Sequence, residues 1–340
     1  MSFRYLGNKT RLADWIVNRI SEVVPAGGTI ADPMCGTASV SFALARQGYN
    51  VIASDALRFP TVHATARLLA KHEPTFSSLQ GYREAVRWLN SLAPTEGYFF
   101  REFGEYGAPE NGRGSRLYFS ASNAAKIDGV RAGIIELRDS GMLTRIEHYV
   151  LLNHLILAVN SVANISGTYG YFHTSLLRSA RKPIEFNEQE FVATPGTHRV
   201  FQASIEDCAA DLEADGVYLD PPYTKRQYAG NYHILETLAL EDEPEAVGDG
   251  GLRPWTDKAS AFCYKRSAPD AFRQVLSRLN TPHVFISYSE DGQVPLDRMW
   301  SILRQFGDVD LASRSLPRYR SNGRAQEGDV LELLFHVRMR

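Results

Sequence analysis

The chain has 340 residues, 44% hydrophobic and 22% charged, which suits a globular protein with one large domain or a core carrying a sizeable insertion. No apolar run reaches the roughly 18 residues that span a bilayer, and the start "MSFRYLGNKTRL" lacks the apolar stretch of a signal peptide, which predicts a cytoplasmic protein. A formal net charge of −2 excludes a chain that is basic overall, so a polyanionic partner has to meet a local patch.

In chain order, "TRLADWIVNRISEVV" predicts a helix, "GTIADPM" a strand, "ASVSFALARQG" a helix and "YNVIASD" a second strand. This alternation predicts a parallel sheet with crossover helices. From about Phe59 to Pro195 the pattern changes: "NAAKIDGVRAGIIELRDSG" and "RIEHYVLLNHLILAVNSVAN" are helical, and "FGEYGAPENGRGS" and "ISGTYGYFH" are glycine-rich aromatic loops. The α/β rhythm then resumes in "HRVFQASIED", "GVYLDPPY", "HVFISYSED" and "DVLELLFHV". The economical reading is one α/β sheet domain, 1–58 and 196–340, interrupted by a mainly helical insertion, 59–195.

Three cysteines, Cys35, Cys208 and Cys263, are scattered without a CxxC pair, which predicts buried thiols and neither a disulfide framework nor a zinc site. His63, His148, His154 and His173 show no metal-ligand spacing and read as satisfied polar histidines. Basic clusters occur at Arg178, Arg181 and Lys182, at Lys225 and Arg226, and at Arg314, Arg318, Arg320 and Arg324. Each alone reads as a solvated face.

Two constellations carry chemistry. In "IADPMCGTASVSFALARQGYNVIASD" a strand, a small-residue turn and a helix lead to a second strand ending in Asp55. Gly36, Thr37 and Ala38 let a ligand approach the backbone, and an acid roughly 20 residues on is placed to accept from ribose hydroxyls. Taken alone this is also compatible with an ordinary tight turn. The second is "VYLDPPY", where a buried strand ends on Asp220, Pro221, Pro222 and Tyr223. Proline cannot donate to a sheet ladder, so the strand stops and the next residues are held stiffly at the edge where open α/β sheets keep ligands. Asp220 can accept from an amine, the carbonyl of Pro221 can accept a second amine hydrogen, and Tyr223 can stack on a flat heteroaromatic ring.

With "FRYLGNKTRL" at the start, "ADPMCGTASVS", "DPPY" after the insertion, and a late "ISYSEDG" followed by "PRYRSNG", the chain resembles over nearly its whole length the DNA adenine-N6 methyltransferases of the alpha arrangement. The resemblance implies a Rossmann-like methyltransferase sheet, S-adenosylmethionine as cofactor, no metal, and methyl transfer to adenine N6 in double-stranded DNA with the base flipped out. It implies cofactor contacts from Tyr5 and Lys9, from the turn residues Asp32, Pro33, Cys35, Gly36 and Thr37, and from Asp55 and Asp207; Tyr5 and Lys9 are equally open to the target base. The catalytic tetrapeptide is Asp220 to Tyr223. Ala38 stands where the family often has a second glycine, so either the turn differs or glycine is needed there only for its size.

The insertion is read as the target-recognition domain. Tyr169, Tyr171 and Phe172 are able to wedge or stack, and Arg178, Arg181 and Lys182, with Lys225 and Arg226 beyond the DPPY, are able to reach phosphates or base edges. The alternative at this point is that the aromatics are core and the bases solvated. A cognate restriction endonuclease is a possible partner, and oligomeric state is open. An RNA adenine methylase would use the same pocket. A non-catalytic DNA-binding relative would lose the acid of DPPY, which is present.

Overall fold

The computed structural model describes residues 4–317 and 329–340. Its strands are β1 (Thr29–Asp32), β2 (Asn50–Asp55), β3 (His198–Gln202), β4 (Gly216–Leu219), β5 (His283–Ser289), β6 (Gly307–Pro317) and β7 (Asp329–Met339), joined in one sheet of order β3-β2-β1-β4-β5-β7-β6. β1 to β5 are parallel, and β7 runs antiparallel to both β5 and β6. This is the α/β Rossmann-like sheet that the sequence predicts. The strand order reverses between β1 and β4, and a crevice opens beyond the carboxyl ends of strands at such a point.

The central strands are apolar because both faces are covered. Ile30, Ala31 and Val217 are fully buried. On one face Val217, Leu219, Val284, Ile286, Tyr288, Leu333, Phe335 and Val337 share a core with Phe272, Val275 and Leu276 of the helix Ala268–Arg278 and Met299, Ile302 and Leu303 of the helix Leu296–Leu303. Each such side chain stabilises the fold by about 1.5–3 kcal/mol. Successive side chains alternate in direction, so Tyr218, Phe285, Ser287, Ser289, Glu332 and His336 belong to the other face. There the Tyr218 hydroxyl donates to Ser287 Oγ at 2.9 Å, and the His336 ring stacks on Phe285 at 4.6 Å. The helix Ala13–Ser21 buries Ala13, Ile16, Val17 and Ile20, one stripe at helical spacing.

The chain divides into two compact units. One comprises Gly7–Ala64, Thr194–Tyr228 and Lys258–Arg340 and contains the sheet. The other comprises the chain up to Leu6, Thr65–Ala193 and Ala229–Asp257 and is mainly helical. The helical unit thus includes Ala229–Asp257, which the sequence pattern had grouped with the sheet; its helix His233–Leu240 is buried almost throughout and packs on the helix Arg145–Val162.

Within the helical unit, Ser120 caps the helix Ala121–Asp139 and a Thr144–Glu147 capping box starts Arg145–Val162. Gly129 is required by a close approach, because a Cβ there would lie 2.0 Å from the Ala93 carbonyl oxygen. The Arg4 guanidinium donates to the carbonyls of Ile165 and Ala163 at 3.2 and 3.3 Å, beyond the end of Arg145–Val162. Cys35, Cys208 and Cys263 are buried free thiols. Among the described residues no helix is long and apolar enough to cross a membrane.

Candidate active site

The turn after β1 is folded onto itself by hydrogen bonds. Asp55, the last residue of β2, accepts the Gly36 N–H at 3.1 Å through Oδ2 and the Leu57 N–H at 3.0 Å through Oδ1. These two bonds fix the carboxylate over the turn, with its plane set by the backbone on either side. Gly36 and Ala38 both take positive φ, +49° and +51°. Ala38 therefore adopts the left-handed conformation itself, so the turn keeps the shape glycine would give it and carries some backbone strain. The hydroxyls of Thr37, Ser39 and Thr10 and the carboxamide of Asn8 form a chain, with contacts of 2.9 Å for Thr37–Ser39, 3.0 Å for Thr10–Ser39 and 3.1 Å for Ser39–Asn8. It ties "LGNKT" to the start of the helix Ser39–Arg46.

Asp32 ends β1 and is buried, as are Pro33, Cys35, Gly36 and Thr37. Its Oδ2 accepts from Ser41 Oγ at 2.5 Å. Burial pushes its carboxyl up to about 7; the Ser41 bond opposes this, and the charges of Asp220 and Asp55 add to it.

At the end of β4, Asp220 Oδ1 lies 2.9 Å from Lys9 Nζ, with side-chain exposures of 18% and 5%. Burial pushes the Asp220 carboxyl above its ordinary value, and the Lys9 ammonium pulls it back. For Lys9 burial acts to lower the ammonium, yet Asp220, Tyr223 and Glu332 outweigh it and leave the group raised, so it stays charged. Lys9 Nζ also lies 5.3 Å from the centre of the Tyr223 ring. That ring meets Tyr288 edge-on at 6.0 Å, and the Tyr223 carbonyl accepts the Gln293 N–H at 2.9 Å. Pro221 is buried and Pro222 half-buried. The DPPY turn is therefore held by side-chain and backbone contacts, and its acid has a fixed counter-ion.

The other sequence candidates are placed as follows. Tyr5 stacks on Tyr232 at 4.8 Å within the helical unit, whereas Lys9 belongs to the sheet unit. Asp207 is exposed and bonded to its cap, accepting from Ser204 Oγ at 2.7 Å. Lys225 and Arg226 are exposed. Tyr169 is fully buried beside Tyr118 and Tyr232, so its ring is core and not a wedge for DNA. Tyr171 is 55% exposed and stacks on Phe172 at 4.6 Å. Arg178, Arg181 and Lys182 are exposed, as is Arg314; Arg318, Arg320 and Arg324 lie outside the described residues. His154 bonds the Tyr82 hydroxyl at 3.0 Å and His173 contacts Ser166 Oγ at 2.9 Å, consistent with satisfied polar histidines.

Sequence reasoning missed Ser41 and Glu332. Glu332 is a buried acid on β7 whose charge acts on Lys9. The one sequence signal was an acid inside the apolar run "VLELLF".

A family model described as D12 class N6 adenine-specific DNA methyltransferase matches residues 5–285. Modification methylase LlaI of Lactococcus lactis subsp. lactis is 33% identical over 97% of this chain and 53% of its own length. Type II methyltransferase M.FokI of Planomicrobium okeanokoites is 28% identical over 98% of this chain and 52% of its own. The chain thus spans about half the length of these relatives. Type II methyltransferase M.NlaIII of Neisseria lactamica is 30% identical and is covered over 92% of its length by 94% of this chain. On this match, which runs from the N-terminal motif through β4 and its DPPY into β5, the chain belongs to the D12 class N6 adenine-specific DNA methyltransferase family.

Proposed function

We propose that this chain transfers a methyl group from S-adenosylmethionine to the N6 amino nitrogen of adenine in duplex DNA, at a specific sequence and with the target base flipped out of the stack. The observation that carries the reading is the Asp220–Lys9 pair at the proline-stiffened end of β4, beside the point where strand order reverses. The residues present suit a cationic cofactor. Burial, and after it the charges of Asp220 and Asp55, raise the carboxyl of Asp32, and a positively charged ligand beside these acids offsets part of that cost. In this reading Asp55, at the end of β2, accepts from the ribose hydroxyls, and the turn from Asp32 through Thr37 lies against the cofactor. The order of these segments, cofactor turn, helical insertion and then DPPY, supports the alpha arrangement.

S-adenosylmethionine, when bound, supplies a methyl group on a sulfonium leaving group. Asp220 accepts an N–H of the adenine amine, and the Pro221 carbonyl accepts the other, which orients the nitrogen lone pair for attack. As the amine becomes positive, the ionised Asp220 carboxylate stabilises the developing charge. The Lys9 ammonium lowers that carboxyl against the burial that raises it, which favours its ionised form. Tyr223 stacks on the extruded ring.

The helical unit serves target recognition through Tyr171, Phe172, Arg178, Arg181 and Lys182. The relatives are named as modification methylases and type II methyltransferases, which supports a restriction-modification setting with a cognate endonuclease, in the cytoplasm and at the nucleoid. The test is to incubate the purified protein with S-adenosylmethionine and unmodified genomic DNA and map modified bases by single-molecule sequencing. N6-methyladenine at one short sequence is expected. Methylation confined to structured RNA, or no transfer to duplex DNA, contradicts the reading.

A further inference from the structure

We infer that Glu332 is a positioning residue for methyl transfer, a second carboxylate that holds the Lys9 ammonium while Asp220 turns to the incoming amine. The inference rests on the methyl-transfer reading above and adds a residue to it. Lys9 and Glu332 are both buried, at 6% and 9% exposure. Glu332 pairs with Ser289 across β5–β7, and paired positions present their side chains to one face, the face that carries Tyr218 and Ser287. β7 is antiparallel to β5, so its first residues lie at the carboxyl edge of the parallel strands, where Asp220 leaves β4.

The Lys9 ammonium therefore pairs with half-buried Asp220 and feels the charge of buried Glu332. The charges act on each other: burial raises the Glu332 carboxyl, Lys9 lowers it and Asp220 raises it further. Around Lys9, Asp220 and Glu332 the coupled titratable groups are Tyr218, Tyr223 and, through Asp220, Asp32, with Asp291 acting on Tyr223. When Asp220 takes an amine hydrogen in place of Lys9, the ammonium would be left buried without a counter-ion. Glu332 is the carboxylate that keeps it compensated, so Asp220 is released without moving Lys9 into solvent.

Glu332→Gln tests this in single-turnover methyl transfer. Lys9 then has Asp220 as its one strong partner and competes with the amine, so the rate should fall by about tenfold or more, with S-adenosylmethionine and DNA affinities within about twofold of wild type. The acid limb of the pH–rate profile should move to lower pH, because the Lys9 ammonium, which lowers the Asp220 carboxyl, is no longer shared with Glu332. Glu332→Asp should restore part of the rate and return the acid limb. In a Lys9→Met background Glu332→Gln should add no further loss. An unchanged rate and acid limb, or an additive loss in that background, overturns the inference. If wild-type protein methylates no duplex DNA, the functional reading fails, and carboxyl titration of the free protein by 13C NMR still decides. A lower Asp220 titration in Glu332→Gln supports the coupling; an unmoved one overturns it.

Discussion

The carboxyl edge of the sheet and the glycine-aromatic loop of the helical unit handle charge in opposite ways. At the sheet edge three acids have fixed partners: Lys9 for Asp220, Ser41 for Asp32, and the Gly36 and Leu57 amides for Asp55. In the loop it is the backbone that is fixed. Buried Asn164 donates from Nδ2 to the Leu117 and His173 carbonyls at 2.8 and 3.0 Å and accepts the Leu177 N–H at 2.9 Å. The side chains it carries outward, Tyr171, Arg178, Arg181 and Lys182, are exposed. Preorganised dipoles and charges suit a reacting centre, where reorganisation costs rate. Exposed bases on a braced backbone suit phosphate and base contacts that form only on binding.

The contrast can be broken first at Lys9. Lys9→Met leaves Asp220 half-buried without its counter-ion, so its carboxyl rises and becomes protonated nearer neutrality. Transfer at neutral pH should fall by about 100-fold and recover as pH rises, because general acid–base and charge-stabilising groups contribute on that scale. A pH–rate profile identical to wild type would mean that the pair is decorative. In the loop, changing Arg178 and Arg181 to alanine should weaken DNA binding and lower the slope of log affinity against log salt by about one to two, with cofactor affinity intact. An unmoved slope would make these arginines mere surface.

Asp32 sharpens the comparison through stability. Its carboxyl titrates at about 7 in the folded protein against about 4 in an unfolded chain, so the folded state binds the extra proton between those values. Stability linked to this group is complete below pH about 4 and lost by about 7, on the order of a few kcal/mol. Asp32→Asn should flatten that part of the curve in denaturant unfolding from pH 4 to 8, a range set by these two values. The smallest effect is expected at Ala38. Ala38→Gly relieves a left-handed alanine and should change stability by under about 1 kcal/mol, the strain relief being offset by unfolded-state entropy. A loss well beyond that would show that the methyl group is needed for packing.

Much of the sheet was legible because apolar runs such as "GVYL" and "NVIASD" end abruptly on acids. β6 was not: its residues are mostly exposed, and it is a strand through backbone pairing with β7 along its length, which no apolar pattern announces. Asp220 was legible from the prolines that follow it. Its pairing with Lys9 was not, since a salt bridge between distant segments leaves no local signal. Tyr169 misled for a related reason, because a glycine-rich aromatic stretch has the same composition whether its rings are buried or displayed, and here one is buried and Tyr171 is not.

The central claim is that Asp220 acts in the transition state. Single-turnover transfer by Asp220→Ala, with 2-aminopurine fluorescence at the target position and cofactor affinity by calorimetry, tests it most directly. The account predicts a rate lower by about 1000-fold or more, with S-adenosylmethionine and DNA binding changed by less than about tenfold. Wild-type transfer by Asp220→Ala would contradict it and reduce the DPPY turn to a strand exit.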